Sequence, residues 1–234
     1  MNILIIGATH GNELLGPKLY ERLLRKRSPL LEHLDFIIGN PRAYAQRVRY
    51  IESDLNRSYG QGNTTYEERR ANEIQQYIND TRPDLVVDMH TTTTVQPNIV
   101  IVGNTTNHQV KTFLRACHLH QILKVQPMHD SASITDNLIA YEVPNRNISP
   151  ALLDEIESDL MRFVAGETHD GSRLLYEMTE KIYQKDVTPA QFKTFVNFEM
   201  HPLGYIPIMT GNNSYKRQTD YYGFKSRAPQ ELHL

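Results

Sequence analysis

The sequence predicts an α/β fold: a mixed, mostly parallel sheet covered by helices on both faces, with a smaller β-rich appendage at the C-terminal end. Three observations carry that expectation. Apolar runs of four to six residues, rich in Ile and Val, alternate with longer stretches of helical period. Those runs stop at turn or polar residues, as strands buried on both faces do. After Gly166 the texture changes, and apolar, acidic and β-prone residues are punctuated by Pro189, Pro202 and Pro207.

Taken in order, residues 3–6 read as the first buried strand. Leu15, Leu19, Leu23 and Leu24 then form one apolar stripe, and Pro17 fits only the first turn of that helix. Residues 36–39 make the next strand, and the Arg- and Asn-containing stretch that follows reads as a loop. A helix over 66–80 places Ile74, Tyr77 and Ile78 on one face, and strands follow at 85–89 and 99–102. Residues 107–120 read as a helix, 138–143 as a strand, and 150–164 as a helix with Ser149 at its N-cap and Pro150 in its first position. The chain thus divides at about Gly166 into a core of residues 1–166 and an appendage of residues 167–234, in which 174–182 and 192–198 are the β-prone stretches.

Composition narrows the classes of function. A length of 234 residues suits one domain with a modest appendage. A net charge of −2 leaves no bulk field for nucleic acid or an anionic membrane. Cys117 is the one cysteine, which excludes an internal disulfide, Cys-rich zinc ribbons and iron–sulfur clusters. No apolar run approaches the length of a membrane span, and the N-terminus lacks a basic leader, so a cytoplasmic protein is expected.

Four constellations carry chemistry. Gly7-Ala8-Thr9-His10-Gly11-Asn12-Glu13 follows the first strand directly, at the strand edge where open α/β sheets bind ligands. His10 and Glu13 are spaced to share one side of a helical turn, where they could hold a metal. The plain alternative is a polar turn capping the first helix, and the glycines do not space as a nucleotide loop. Asp84-Leu85-Val86-Val87-Asp88-Met89-His90 is an apolar strand ending in His90, the natural third ligand. Asp88 lies two residues earlier on the same face and could orient that imidazole; a satisfied structural histidine is the alternative. Asn40-Pro41-Arg42-Ala43 and Arg49-Tyr50-Ile51-Glu52-Ser53-Asp54-Leu55-Asn56-Arg57 gather arginines, of which Arg47 reads as surface. Arg49 and Arg57 offer planar forks suited to carboxylates. Glu142, embedded in an apolar strand, is costly there unless it lies at an exposed edge or is used, and desolvation gives a carboxylate the raised pKa of a general base.

Together these blocks resemble the aspartoacylase and succinylglutamate desuccinylase family, zinc hydrolases related to the carboxypeptidase fold. The likeness rests on GATHGNE at 7–13, NPRA at 40–43, RYIESDLNR at 49–57, DLVVDMH at 84–90 and YEVP at 141–144, with a looser match in IPIMTGNNSY at 206–215. The resemblance implies one Zn2+ per chain held by His10, Glu13 and His90. It implies further that Arg49 polarises a scissile carbonyl and that Glu142 is general base and acid. Asn56, Arg57 and Tyr215 would bind the substrate, a small carboxylate-bearing N-acyl amino acid, with residues 167–234 closing over the site. The expected activity is deacylation of that substrate; a peptide-trimming zinc carboxypeptidase and a non-catalytic carboxylate-binding relative are the alternatives. The resemblance admits a homodimer, although no interface is legible in the sequence. Two departures stand out. The further cation that aspartoacylases carry before the catalytic Glu is missing from residues 131–137, and the family's E-V-G-P becomes Glu142-Val143-Pro144-Asn145. Arg146 is a candidate replacement for that cation, with a surface arginine as the simpler reading.

Overall fold

The computed structural model describes residues 1–125, 134–211 and 220–233. Among the described residues ten strands form one sheet: β1 (Ile3–Gly7), β2 (Leu34–Ile38), β3 (Leu85–Thr92), β4 (Ile99–Val102), β5 (Gln121–Lys124), β6 (Leu138–Pro144), β7 (Leu174–Tyr183), β8 (Ile206–Ile208), β9 (Tyr221–Ser226) and β10 (Gln230–Glu231). Their order is β2-β1-β3-β6-β4-β5-β7-β9-β8, with β10 beside β7. The pairs from β2 through β6 are parallel, β4 runs antiparallel to β6, and β5 pairs parallel with both β4 and β7. The expected mixed sheet is therefore present. Its C-terminal strands extend it: β7 pairs with β5 through its first half and with β9 through its second.

Strand alternation decides which helix meets which face. Ile3, Ile5, Val87, Met89, Ile139 and Tyr141 point to one side, where α1 (Leu15–Lys26), α4 (His108–Ala116) and α5 (Pro150–Ala165) bury Leu19, Phe113 and Phe163 against them. Leu4, Ile6, Val86, Leu138 and Ala140 point to the other, under Ala71, Ile74 and Ile78 of α3 (Tyr66–Thr81). Each such Leu or Ile contributes about 1.5–3 kcal/mol by leaving water. By the same period Asp88, His90 and Glu142 belong to the α3 face. The helix ends follow the local rules. Thr65 and Glu68 form a reciprocal capping box on α3, and Ser149 caps α5 ahead of Pro150.

Three local expectations need correction. Residues 41–46 form a short helix, α2 (Pro41–Gln46), rather than loop, because Asn40 accepts from Ala43 N and Pro41 presets the first turn. The helix expected over 107–120 stops at Ala116: Cys117 is already extended, and residues 121–124 become β5. Residues 192–198 are not a strand. Thr188 and Gln191 cap a single turn, α6 (Pro189–Phe192), and the chain continues in turns to Phe198, which has a left-handed backbone.

Candidate active site

The C-terminal ends of β1, β3 and β6 bring the expected residues together. Ala8, fully buried at φ 54°, turns the chain sharply out of β1 and into the loop that bears His10 and Glu13. Gly11 then lies so close to α2 that a Cβ there would sit 2.1 Å from the carbonyl carbon of Ala43, and its N–H donates to the Arg49 carbonyl at 3.1 Å. A side chain is thus excluded from Gly11 by backbone, which no rotamer can relieve. This packing ties the His10 loop to the arginine loop.

Glu13 is the hub. Its Oε1 lies 2.7 Å from His10 Nδ1 and its Oε2 lies 3.1 Å from His90 Nδ1, while Thr91 N donates to Oε2 at 2.9 Å. The outer ring nitrogens are held by carboxylates: His10 Nε2 by Asp54 Oδ1 at 3.0 Å and His90 Nε2 by Asp88 Oδ2 at 2.8 Å. Thr9 donates to the other oxygen of Asp88 at 2.7 Å. Donor atoms of His10, Glu13 and His90 lie within 4.8 Å of one another, and all three side chains are buried. Two imidazoles and one carboxylate, with both Nε2 atoms against outer carboxylates and both Nδ1 atoms turned inward to Glu13, form a donor set that fits zinc.

The electrostatics agree with a cation site. Burial is the largest influence and opposes protonation of His10 and His90, yet the carboxylates around them, Glu13 and Asp54 for the first and Asp88 and Glu13 for the second, together outweigh it and both pKa values rise. Burial likewise disfavours the ionised forms of Glu13 and Asp54, but their histidine partners hold both carboxyls below the usual range. The same local field that retains protons here would retain a divalent ion. Glu142 behaves oppositely. It faces His90 in the β3–β6 register, is 6% exposed, and burial pushes its pKa up to about 7.

The arginines separate by environment. Arg49 donates through Nε and Nη2 to Asp54 Oδ2 at 3.2 and 3.0 Å, and its Nη1 lies 3.6 Å from Glu13 Oε1. Arg57 is exposed at the end of the 3-10 turn Leu55–Arg57 and has no carboxylate partner among the described residues. Beside it Asn56 keeps a buried Oδ1 without a hydrogen-bond partner. Arg146 is exposed on the 3-10 turn Asn145–Asn147. Tyr215 and residues 131–133 of the cation-free stretch lie outside the described residues.

Sequence reasoning gave no role to Asp54, whose carboxylate joins His10 to Arg49. The signal available was an acid directly before Leu55-Asn56-Arg57. Among the described residues a second ligand-type group, Cys117, His118 and Asp159, converges beyond the opposite face of the sheet. Its carboxylate already accepts from Tyr141 Oη at 2.6 Å, His118 Nδ1 at 2.7 Å and Arg162 Nη2 at 2.5 Å, and the guanidinium supplies the positive charge a metal would bring.

Among known proteins, the family described as the succinylglutamate desuccinylase/aspartoacylase catalytic domain matches residues 1–143, a span that holds every ligand-type residue of the hub and Glu142. The chain belongs to this family. A probable aspartoacylase of Prochlorococcus marinus subsp. pastoris is 38% identical over 109 residues, which cover 43% of this chain and 37% of that protein. The matched stretch is thus little more than a third of that relative's length. An N-acyl-aromatic-L-amino acid amidohydrolase (carboxylate-forming) of Xenopus laevis is 23% identical over 92% of this chain and 82% of its own. Two solved structures share the fold of this desuccinylase/aspartoacylase member over nearly all of it. Murine aminoacylase 3 aligns with a TM-score of 0.70 at 18% identity, covering 99% of this chain and 96% of that one. The succinylglutamate desuccinylase of Chromobacterium violaceum aligns with a TM-score of 0.73 at 15% identity, covering 100% and 86%. Among the described residues no helix is long and apolar enough to cross a membrane.

Proposed function

We propose that this chain is a zinc-dependent amidohydrolase that deacylates a small N-acyl amino acid, releasing a carboxylate and a free amino acid. The observation that carries the proposal is the inward pairing of His10 Nδ1 and His90 Nδ1 on Glu13, with Glu142 the register neighbour of His90. Family membership supports the reaction class, and the names of the relatives support N-acyl amino acids as the substrate class. His10, Glu13 and His90 would hold one zinc ion. When bound, it supplies Lewis-acid polarisation of the scissile carbonyl and of the attacking water.

The chain's own residues do the rest. Glu142 takes the proton from water as oxygen attacks the amide carbon, and later returns it to the departing amine nitrogen. The Arg49 guanidinium donates to the oxyanion as charge develops; its contacts with Asp54 and Glu13 preorganise it for that task. Arg57, which has no carboxylate partner among the described residues, and Asn56 would hold the substrate's α-carboxylate, and Tyr215 is the further residue proposed for that contact. The appendage expected over residues 167–234 would close over this edge.

Kinetics on an N-acyl amino acid separate the two arginine roles. Arg49→Ala is expected to lower kcat by about 10²–10³-fold, the usual cost of losing one oxyanion donor. Arg57→Ala should chiefly raise KM, since a ground-state contact to the carboxylate is lost. A rise in KM alone for Arg49→Ala, with kcat at the parent value, would remove it from transition-state stabilisation. Faster turnover of C-terminally free dipeptides than of N-acyl amino acids would instead make the protein a peptidase.

A further inference from the structure

The first turn of α3 carries two adjacent acids, and only one does what helix N-termini ordinarily ask of them. Glu68 turns back on the backbone N–H groups of Thr64 and Thr65 and completes the capping box. Glu67 turns inward and is fully buried. Its Oε1 accepts from Ile51 N at 2.7 Å and Asn40 Nδ2 at 3.1 Å, and its Oε2 accepts from Glu52 N and Ser53 N, each at 3.1 Å. Three consecutive backbone N–H groups and a side-chain amide thus surround one carboxylate, and no cation is among them. Such a nest, at the positive end of a helix, is how a buried negative charge is held without an ion pair. Burial alone would raise the carboxyl's pKa, but the four hydrogen bonds outweigh it and the pKa falls.

The position of those three amides gives the contact its meaning. They lie between Arg49 and Asp54, the two residues that bracket the catalytic end of the loop. On one side the Arg49 carbonyl is tied to Gly11 of the His10 loop. On the other, Asp54 reaches His10 Nε2 with one oxygen and the Arg49 guanidinium with the other. Asn40, the fourth donor, also caps α2 and donates its own N–H to the Ala8 carbonyl. Glu67 is therefore the point through which α3, α2, the His10 loop and the arginine loop are fixed relative to one another.

We propose that Glu67 is a positioning residue for the reaction: it holds residues 51–53 so that Asp54 can orient His10 and Arg49 together. The idea rests on the proposed deacylase site, but part of it can be read without any substrate. A Gln at this position cannot serve the nest, because its NH2 end would meet N–H donors. The loop would then loosen at the span that links Arg49 to Asp54. A catalytic group misplaced by about 1 Å can cost on the order of 10²-fold in rate, and losing the orientation of a metal ligand costs about 10–100-fold in metal affinity.

The test compares Glu67→Gln with Glu157→Gln, a buried carboxylate that accepts from Ser28 and Lys26 and is remote from the site. Three quantities are measured: amide hydrogen exchange at residues 51–53, zinc affinity against a competing chelator, and kcat on the best N-acyl amino acid. Glu67→Gln is expected to speed exchange at those amides, weaken zinc at least about tenfold and lower kcat by about 10²-fold. Glu157→Gln should keep the parent value for all three. Parent-like zinc affinity and kcat in Glu67→Gln despite faster exchange would make Glu67 merely structural and overturn the proposal. Losses of zinc and rate with residues 51–53 still protected would overturn it too. Should Glu67→Gln not fold, Glu67→Asp keeps the charge one methylene short and is read by the same criteria. If no N-acyl amino acid is turned over, the deacylase reading fails, while exchange and zinc affinity still decide the role of Glu67.

Discussion

Glu142→Gln is expected to keep its zinc and lose turnover by about 10²–10⁴-fold, the range assigned to a single general acid–base group. The side chains are isosteric, so the strand and the metal hub should be undisturbed. What disappears is an ionisable group whose pKa burial has raised to about 7, the property the proposed general base needs. Glu142 is pushed up to about 7 by burial, and a divalent ion beside it would draw that value down again. The sign of the pH dependence follows. In the proposed mechanism Glu142 must be ionised to accept the proton, so activity would be retained above its pKa and lost below it. The acid limb of kcat/KM should therefore fall at or below pH 7, declining tenfold per unit. A Glu142→Gln variant with parent kcat would remove this residue from the mechanism, whatever became of the pH profile.

His90→Ala should have the second large effect, and it should strike metal content first. The imidazole is one of three inward donors, so its loss should weaken zinc by more than the roughly 10–100-fold typical of losing an outer-shell partner. Stability should fall as well. Asp88 is fully buried and would keep Thr9 but lose its imidazole partner, and Glu13 would lose one of its two histidines. Breaking a buried pair in this way typically costs about 3–5 kcal/mol. Elemental analysis and thermal unfolding of the purified variant would read both effects. Full zinc content in His90→Ala would exclude it as a ligand.

Legibility in the sequence followed the distance over which each residue finds its partners. His10 and Glu13 are three apart, and Asp88 and His90 alternate along one strand, so local spacing was enough to group them. Glu142 stood out because a carboxylate in an apolar strand needs a reason. Asp54 and Glu67 gave no such signal. Asp54 meets a histidine 44 positions away, and Glu67 meets Asn40 27 positions away; in the sequence one is an acid among arginines and the other an acid in a helix's first turn. Their roles exist only once α3 packs beneath β1 and β3. The fold misreadings have similar causes. α2 is a six-residue helix, too short to show a period. The helix expected to residue 120 overran α4 by four residues, because Cys117 is already extended and the chain to His120 leads into β5. In residues 192–198 β-prone side chains lost to the turn chemistry of Thr188 and Pro189. The stretch from residue 42 to 57 reads as a loop and is irregular from Val48 to Asp54, where both its own Asp54 and Glu67 from α3 hold it in place.

The proposed function requires that one zinc ion, held by His10, Glu13 and His90, make this chain an N-acyl amino acid deacylase. Its most direct test is release of free amine from a panel of N-acyl amino acids, with acidic and with neutral side chains, by the zinc-loaded protein. Release is predicted for at least one member of the panel, to stop on chelation and to return with stoichiometric zinc. A protein carrying one zinc per chain that releases amine from no member, or one that releases it equally well after the metal is stripped, would contradict zinc-dependent deacylation.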